Sequence, residues 1–227
     1  MVKIQFLGHS GFKISAANKN FLIDPYLSST SNNSFKRLIN CPVKEEKLGP
    51  IDLILITHEH FDHFDKDLVQ RLASKNNAIV AAHDTILDEL CLPRNQKHPI
   101  SVREKCVLRG ITIQPVAAHH PTSFYPVGFV LGANGTTIYH AGDTELLDDC
   151  AGIKADIAML PIGGKMTMDC VDAVKAVKTM KPSYAIPMHY NTFPMIMQDP
   201  KEFSQKIEKS ILKTKALIME PGKTVNL

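Results

Sequence analysis

Residues 52–63 read DLILITHEHFDH, a run of apolar residues that passes directly into a cluster of histidines and acids. A continuous apolar run of this kind predicts a strand buried in the middle of a sheet. His58 and His60, two positions apart in an extended loop, can point the same way, and Asp62 and His63 follow where the loop turns toward a helix. Four side chains of metal-ligand type therefore converge at the end of a rigid strand, a common position for catalytic groups. The alternative is a chance cluster on a solvated loop.

These ligand types also indicate which metals would bind. Imidazole and carboxylate groups without thiolate are typical of zinc, with iron or manganese as substitutes. The chain has five cysteines, but they are scattered and form no C-x-x-C pair. Neither a zinc ribbon nor a disulfide framework is therefore predicted, and this cysteine usage is typical of a reducing compartment.

Strand-like and helix-like segments alternate along the rest of the chain. The predicted strands are 2–7, 11–14, 20–24, 52–57, 78–82, 111–118, 127–131, 136–140, 156–160 and 183–188. The predicted helices are 66–74, 85–90, 169–180 and 200–212. Two β-rich blocks with helices between them favour an α/β (α+β) fold of two stacked sheets with helices outside. A chain of 227 residues without a linker or repeat predicts a single domain over residues 1–227.

Composition narrows the class of protein. The formal net charge of +3 gives no case for a nucleic-acid partner, although it would not repel an anionic substrate. The N-terminal residues alternate apolar and polar side chains as a strand does, and no apolar run approaches the ~18 residues of a membrane span. We therefore expect a cytoplasmic protein with no membrane partner.

The cluster at residues 58–63 resembles the H-x-H-x-D-H signature of the metallo-β-lactamase superfamily. Other stretches resemble landmarks of its subgroup of uncharacterised metal-dependent hydrolases related to ascorbate-phosphate lactonase. They are Gly8-His9-Ser10, Asp24-Pro25, Gly142-Asp143-Thr144, residues 161–169 and residues 189–194. The resemblance covers nearly the whole chain and implies a four-layer αββα sandwich. It also implies a hydrolase domain with two divalent metal ions, zinc first, with manganese or iron as alternatives.

Transferred residue by residue, the resemblance implies two metal positions that share one carboxylate. The first would be held by His58, His60 and a third histidine, and the second by Asp62, His63 and His189. Asp143 would bridge both. The third histidine is His119 or His120, and strand parity together with the family's Ala-x-His pattern favours His120. In the mechanism that this arrangement suggests, Asp62, Asp143 and His189 are the expected catalytic residues: Asp143 bridges the ions, Asp62 accepts or relays a proton, and His189 or Thr192 contacts the leaving group.

Each of these residues has a structural alternative. Asp143 could cap the helix that follows, and His189 could be a core histidine. His9, His140 and Asp24 could orient ligands or serve only in packing and turns. Gly163 and Gly164 could shape a pocket wall or a plain turn. Lys165 could meet an anionic substrate or stay solvated.

The resemblance predicts a hydrolase that uses a metal-bridged hydroxide on a small ester, lactone or phosphodiester. Two alternatives remain: an RNA or nucleotide phosphodiesterase, and a metal-binding regulatory domain without catalysis. A long Lys/Arg-rich insertion, which would favour RNA, is missing from the sequence. Relatives in the subgroup often form homo-oligomers, so a second copy of the chain is an expected partner beside the small-molecule substrate.

Overall fold

The computed structural model describes residues 1–28 and 36–227. Its strands are β1 (Lys3–Gly8), β2 (Gly11–Ala16), β3 (Lys19–Ile23), β4 (Leu53–Leu55), β5 (Ile79–Ala82), β6 (Lys97–Pro99), β7 (Cys106–Leu108), β8 (Ile111–Ala117), β9 (Val127–Ala133), β10 (Thr136–His140), β11 (Ile157–Pro161), β12 (Tyr184–Met188), β13 (Lys215–Ala216) and β14 (Thr224–Asn226). Its α-helices are α1 (Lys66–Asn76), α2 (Asp84–Asp88), α3 (Cys170–Met180) and α4 (Pro200–Glu208).

Within these residues the strands form two seven-stranded mixed sheets. The first has the order β14-β1-β2-β3-β4-β5-β6, and the second has the order β13-β12-β11-β10-β9-β8-β7. In each sheet an antiparallel block adjoins a parallel block: β1, β2 and β3 are antiparallel, whereas β3, β4, β5 and β6 run parallel. The parallel strands end together, which brings the loops that follow them to one edge.

Side chains of the first sheet alternate between two hydrophobic clusters. Phe21, Ile23, Leu53 and Leu55 belong to the large cluster that also includes the strands of the second sheet. Leu22 and Ile54, of the opposite parity, pack with α1 in a separate cluster. Because both faces of β4 are covered, its sequence is apolar at every position, as the run at residues 52–57 predicts.

The helices α1 and α3 begin at aspartates that cap them. The Asp65 carboxylate accepts from the backbone N–H of Leu68, and that of Asp169 accepts from Val171 and Asp172. Helix α3 covers the second sheet, where Ala173 and Val177 enter the core. The expected α/β sandwich is confirmed. The described residues include no helix that is long and apolar enough to cross a bilayer.

Several bounds differ from the sequence-based expectation: β4 spans Leu53–Leu55 within the predicted 52–57, and α2 spans Asp84–Asp88 where 85–90 was predicted. Helix α4 ends at Glu208, not at Leu212, because the Ser210 hydroxyl turns back to the Ile207 carbonyl and occupies an acceptor of the last turn. The four short strands β6, β7, β13 and β14 were not predicted, and each lies at an edge of its sheet.

Candidate metal centre

The loop after β4 carries the H-x-H-x-D-H cluster. It turns tightly, since the backbone N–H groups of His63 and Phe64 both donate to the His60 carbonyl, at 2.9 and 2.8 Å. Loops that follow β8, β10 and β12 bring His120, Asp143 and His189 to the same place. The cluster is therefore built from both sheets.

Three imidazoles form the first group of donors. His58 Nε2 lies 3.2 Å from His60 Nδ1, and His120 Nε2 lies 3.1 Å from the same His60 atom. The other nitrogen of each ring has its own partner: Thr57 Oγ1 for His58, the Thr122 carbonyl for His60 and the Met166 carbonyl for His120. Such outer partners fix the orientation and tautomer of a ligating histidine. The converging atoms are Nε2 of His58 and His120, and Nδ1 of His60.

His119 and His120 point to different places. The His120 side chain is buried in the cluster. The His119 side chain is 56% exposed, and its Nε2 lies 3.7 Å from Glu145 Oε2. Its backbone is pinned by bonds with Thr144 Oγ1 and with the Glu145 N–H. The structure therefore brings His120, and not His119, to His58 and His60.

Asp143 lies between the first group and a second one. Its Oδ2 atom is 3.0 Å from His189 Nε2 and 3.8 Å from His120 Nε2, and its Oδ1 atom is 3.3 Å from His63 Nε2. The ligand atoms of His9, Asp62, His63 and His189 all lie within 4.8 Å of one another. One carboxylate thus contacts imidazoles of both groups, which is the arrangement that a bridging ligand requires.

Asp24 is completely buried and is hydrogen-bonded to His63, a member of the second donor group. Its Oδ2 atom accepts from His63 Nδ1 at 2.8 Å and from the Thr57 hydroxyl at 2.6 Å, while Oδ1 accepts from the Thr57 backbone N–H at 2.8 Å. Of its two sequence-based alternatives, the structure shows the one that orients a candidate ligand. Thr57, which no motif singles out, links Asp24 to His58.

Three residues of this cluster have a strained backbone. His9, Asp24 and His189 have φ values of 59°, 44° and 55°, a left-handed region that non-glycine residues rarely adopt. Each such residue costs on the order of 1–3 kcal/mol, and such residues concentrate at functional sites. Gly163 is required by space, because a Cβ there would lie 2.3 Å from the His189 carbonyl oxygen. The strained turns and this close approach fix where the His189 imidazole lies.

The charges of the cluster are strongly coupled. Burial lowers the pKa of His58 well below its usual value, and His63 lowers it further. Burial alone would raise the pKa of Asp143, but the imidazoles of His189 and His63 outweigh burial and hold that pKa well below its usual range. Burial would lower the pKa of His63, yet Asp143 and Asp24 outweigh it and raise that pKa. A metal ion would therefore meet ionised carboxylates and would displace the proton held on His63.

Orphaned buried atoms test whether the residues fit metal ions. His63 Nε2, Asp143 Oδ1 and His9 Nε2 are buried without a directed hydrogen bond among the described residues. A buried polar atom left unsatisfied costs about 1–3 kcal/mol. Since these are nitrogen and oxygen atoms facing one another, a divalent cation would satisfy them. The donor set fits zinc, manganese or iron.

The other residues that the sequence singled out have separate places. His140 contacts backbone: its Nε2 donates to the Ser10 carbonyl and its Nδ1 accepts from the Gly142 N–H. Lys165 is exposed in a left-handed turn next to Met166.

Glu59 was not predicted to take part in the site. Its carboxylate accepts from Ser123 Oγ and from the Phe124 N–H, and it therefore links the cluster to the β8–β9 loop.

Three partly exposed apolar side chains belong to the segments that carry or contact the candidate ligands. Phe61, between two candidate ligands in sequence, is 43% exposed, Phe124 is 79% exposed and Met166 is 47% exposed. The Phe124 backbone N–H donates to Glu59, and the Met166 carbonyl accepts from His120. We call these three residues the exposed apolar group.

Comparisons with known proteins show the family to which the chain belongs. Residues 19–190 match the family model described as the β-lactamase superfamily domain. A curated relative from Caldivirga maquilingensis, named a UPF0173 metal-dependent hydrolase, is 36% identical over 232 residues, covering 99% of this chain and 97% of its own. A relative of that name from Thermococcus kodakarensis is 36% identical over 239 residues and is matched over 100% of both chains. The chain belongs to the UPF0173 metal-dependent hydrolase family of the β-lactamase superfamily.

Solved structures place this UPF0173 family member in the same fold. Igni18, a metallo hydrolase from Ignicoccus hospitalis, superposes with a TM-score of 0.82 at 32% identity over 99% of this chain and 97% of its own. An isothiocyanate hydrolase from Delia radicum gut bacteria superposes with a TM-score of 0.80 at 20% identity over 99% and 98%, a likeness of fold alone. The resemblance to the metallo-β-lactamase superfamily is confirmed.

Proposed function

We propose that this UPF0173 family member is a dinuclear metal-dependent hydrolase of small esters, lactones or phosphodiesters. One observation carries the proposal: Asp143 contacts imidazoles of two adjacent donor groups, His120 on one side and His63 and His189 on the other. His58, His60 and His120 would hold the first ion, and Asp62, His63 and His189 the second, with Asp143 shared. Two such ions, when bound, would supply an activated water near neutral pH and would polarise the attacked carbonyl or phosphoryl oxygen.

The chain's own residues would then orient the reactants and move the proton. The Asp62 side chain is 14% exposed, whereas that of His9 is fully buried. Burial would raise the pKa of Asp62, but His9 outweighs burial and holds that pKa well below its usual range, so Asp62 is ionised as a metal ligand must be. We assign to Asp62 the acceptance or relay of a proton of the attacking water, and to His189 or Thr192 contact with the leaving group.

The exposed apolar group supports a substrate that carries an alkyl or aryl substituent beside the scissile bond. Phe61 lies between candidate ligands in sequence, and the backbones of Phe124 and Met166 are hydrogen-bonded to Glu59 and His120. This surface suits the alkyl or aryl part of an ester or lactone better than the anionic backbone of RNA, for which a basic stripe is typical. Lys165 directly precedes Met166 in sequence and is exposed. It is our candidate for contact with a substrate that also bears a negative charge.

The experiment begins with metal content. Protein purified without added metal is analysed by elemental mass spectrometry, and we expect close to two zinc, manganese or iron ions per chain. The loaded protein is then assayed on p-nitrophenyl esters of increasing chain length, on lactones and on bis-p-nitrophenyl phosphate. Turnover of esters or lactones supports the proposal. Turnover of the phosphodiester alone would favour the nuclease alternative, and a loaded but inert protein would favour the regulatory one.

Asp143→Asn tests the shared carboxylate. We expect its turnover to fall by at least about 100-fold, because an amide oxygen neither bridges two cations nor balances their charge. Asp67→Asn, an exposed acid in the first turn of α1, serves as the matched control. An Asp143→Asn protein with two ions and near-normal turnover would remove Asp143 from its bridging role.

A further inference from the structure

Among the imidazoles grouped at the candidate metal centre, His9 is the one that the proposed dinuclear arrangement does not use as a ligand. It lies in the turn between β1 and β2, its side chain has no exposed surface, and its Nε2 atom is 3.0 Å from Asp62 Oδ2. We propose that His9 Nε2 is a further ligand of the second metal ion. This inference rests on the proposed dinuclear site and adds a protein donor to it.

The His9 ring lies near Asp62 but is not directed at it. Although Nε2 lies close to Asp62, neither nitrogen of His9 makes a directed hydrogen bond with the described residues. His63 Nε2 and Asp143 Oδ1 share this property, and both are candidate ligand atoms. Two atoms that lie near each other but do not point at each other have the geometry of neighbouring ligands, which point toward a common centre.

The neighbours of His9 indicate where the common centre of these ligand atoms would lie. The ligand atoms of His9, Asp62, His63 and His189 lie within 4.8 Å of one another. The His9 ring centroid is 4.3 Å from that of His189 and 5.3 Å from that of His63. His9 therefore faces the two imidazoles of the second position, whereas the donor group of His58, His60 and His120 does not include it.

The backbone that carries His9 is strained. His9 has a φ of 59° directly after Gly8 with a φ of 96°. The His189 backbone N–H donates to the His9 carbonyl at 2.8 Å, so the two turns that carry these imidazoles are bonded to each other. The left-handed turn at His9 is therefore tied to the turn that carries His189, and backbone outliers of this kind are found at functional sites.

The two positions would then differ in their number of protein ligands. The first would have four, from His58, His60, His120 and Asp143. The second would have five, from His9, Asp62, His63, His189 and Asp143. Because zinc prefers four ligands whereas manganese and iron accept five or six, we expect the second position to discriminate less against manganese and iron than the first.

Two substitutions at residue 9 separate a ligand from a hydrogen-bond donor. His9→Gln keeps a side-chain N–H near the place of Nε2 but removes the imidazole, and His9→Ala removes both. If His9 binds the metal, both variants should lose affinity for the second ion by at least about 100-fold, while the first ion binds as in the wild type. The measurement is titration of the metal-free protein with Co²⁺, followed by its visible absorption and by elemental analysis. His98→Gln, in the edge strand β6, controls for the loss of a histidine elsewhere.

The outcomes are distinct. Wild-type affinity for the second ion in His9→Gln, with a loss only in His9→Ala, would mean that His9 donates a hydrogen bond to Asp62, and the inference would be wrong. Wild-type affinity in both variants would also overturn it. If the wild-type protein itself binds fewer than two ions, the proposed function fails before His9 is tested.

A measurement on the wild-type protein does not depend on whether the variants fold. The chain is labelled with ¹⁵N-histidine and loaded with ¹¹³Cd²⁺, and scalar couplings between cadmium and imidazole nitrogens are recorded. We expect a coupling to His9 Nε2 beside those of the other five ligand histidines. Couplings to those five without one to His9 would overturn the inference.

Discussion

At the scale of the single residue, two adjacent histidines give the sharpest prediction. His120 lies among the candidate ligands, and the His119 side chain is at the surface near Glu145. His120→Ala should therefore lower affinity for the first ion by at least about 100-fold, because it removes one of three imidazoles. His119→Ala should bind both ions as the wild type does. Metal titration of the two variants side by side makes each the control of the other, and the reverse result would reject the assignment.

The same pair shows what the sequence can and cannot provide at this scale. The H-x-H-x-D-H spacing is local, so it predicts His58, His60, Asp62 and His63 together. Strand parity favours His120, but β8 ends at Ala117, so parity does not extend to residue 120. The two histidines are separated by the bonds of His119 with Thr144 and Glu145, and by that of His120 with Met166. These partners lie 25 or more residues away along the chain, and no spacing rule indicates them.

At the scale of the element, Glu59 joins two loops that carry ligands. Its carboxylate accepts from Ser123 Oγ at 2.9 Å and from the Phe124 N–H at 2.8 Å. Burial would raise the pKa of Glu59, but hydrogen bonds from its own backbone N–H and from Phe124 outweigh burial, so the pKa is lowered. A carboxyl group with a lowered folded pKa contributes stability above its unfolded pKa of about 4.3, and that contribution is lost as the pH falls through the folded pKa.

Glu59→Gln should therefore unfold at lower urea concentration than the wild type at pH 7, and the difference should shrink as the pH falls below the unfolded pKa of about 4.3 and through the lowered folded pKa of Glu59. The measurement is urea unfolding of the two metal-free proteins over a series of pH values from 7 downward. Glu46→Gln, an exposed glutamate in the 3-10 turn before β4, is the matched control. A difference that stays constant with pH would show that the Glu59 charge does not stabilise the β8–β9 loop.

The elements that sequence reasoning missed have a common physical cause. The central strands are buried on both faces, so continuous apolar runs in the sequence predict them, as for β4 and β11. The missed strands β6, β7, β13 and β14 are two or three residues long and lie at the edges of the sheets. An edge strand is defined by its pairing with one neighbour, and its half-exposed side chains have no distinctive pattern. Their existence follows from the assembled sheet and not from their own sequence.

At the scale of the whole molecule, the candidate metal centre joins the two sheets. The loop after β4 in the first sheet supplies His58, His60, Asp62 and His63, and loops after β8, β10 and β12 in the second supply His120, Asp143 and His189. A metal ion held between them binds the folded chain and not the unfolded one, so it adds to the free energy of unfolding. Without it, Asp143 lies buried among imidazoles, and His189 and His63 hold the pKa of its carboxyl well below its usual range.

Removal of metal should therefore lower the thermal midpoint. An ion present at about 100 times its Kd adds about 2.7 kcal/mol, and each kcal/mol shifts the midpoint of a chain of this size by about 2–4 °C. We expect a drop of roughly 5–10 °C per ion when a chelator is added, reversed by adding the metal back. Asp143→Asn, which weakens both positions, should respond much less to the chelator. If elemental analysis shows that both ions have left the wild-type protein and its midpoint has not moved, the ions do not hold the sheets together, and the metal centre serves chemistry alone.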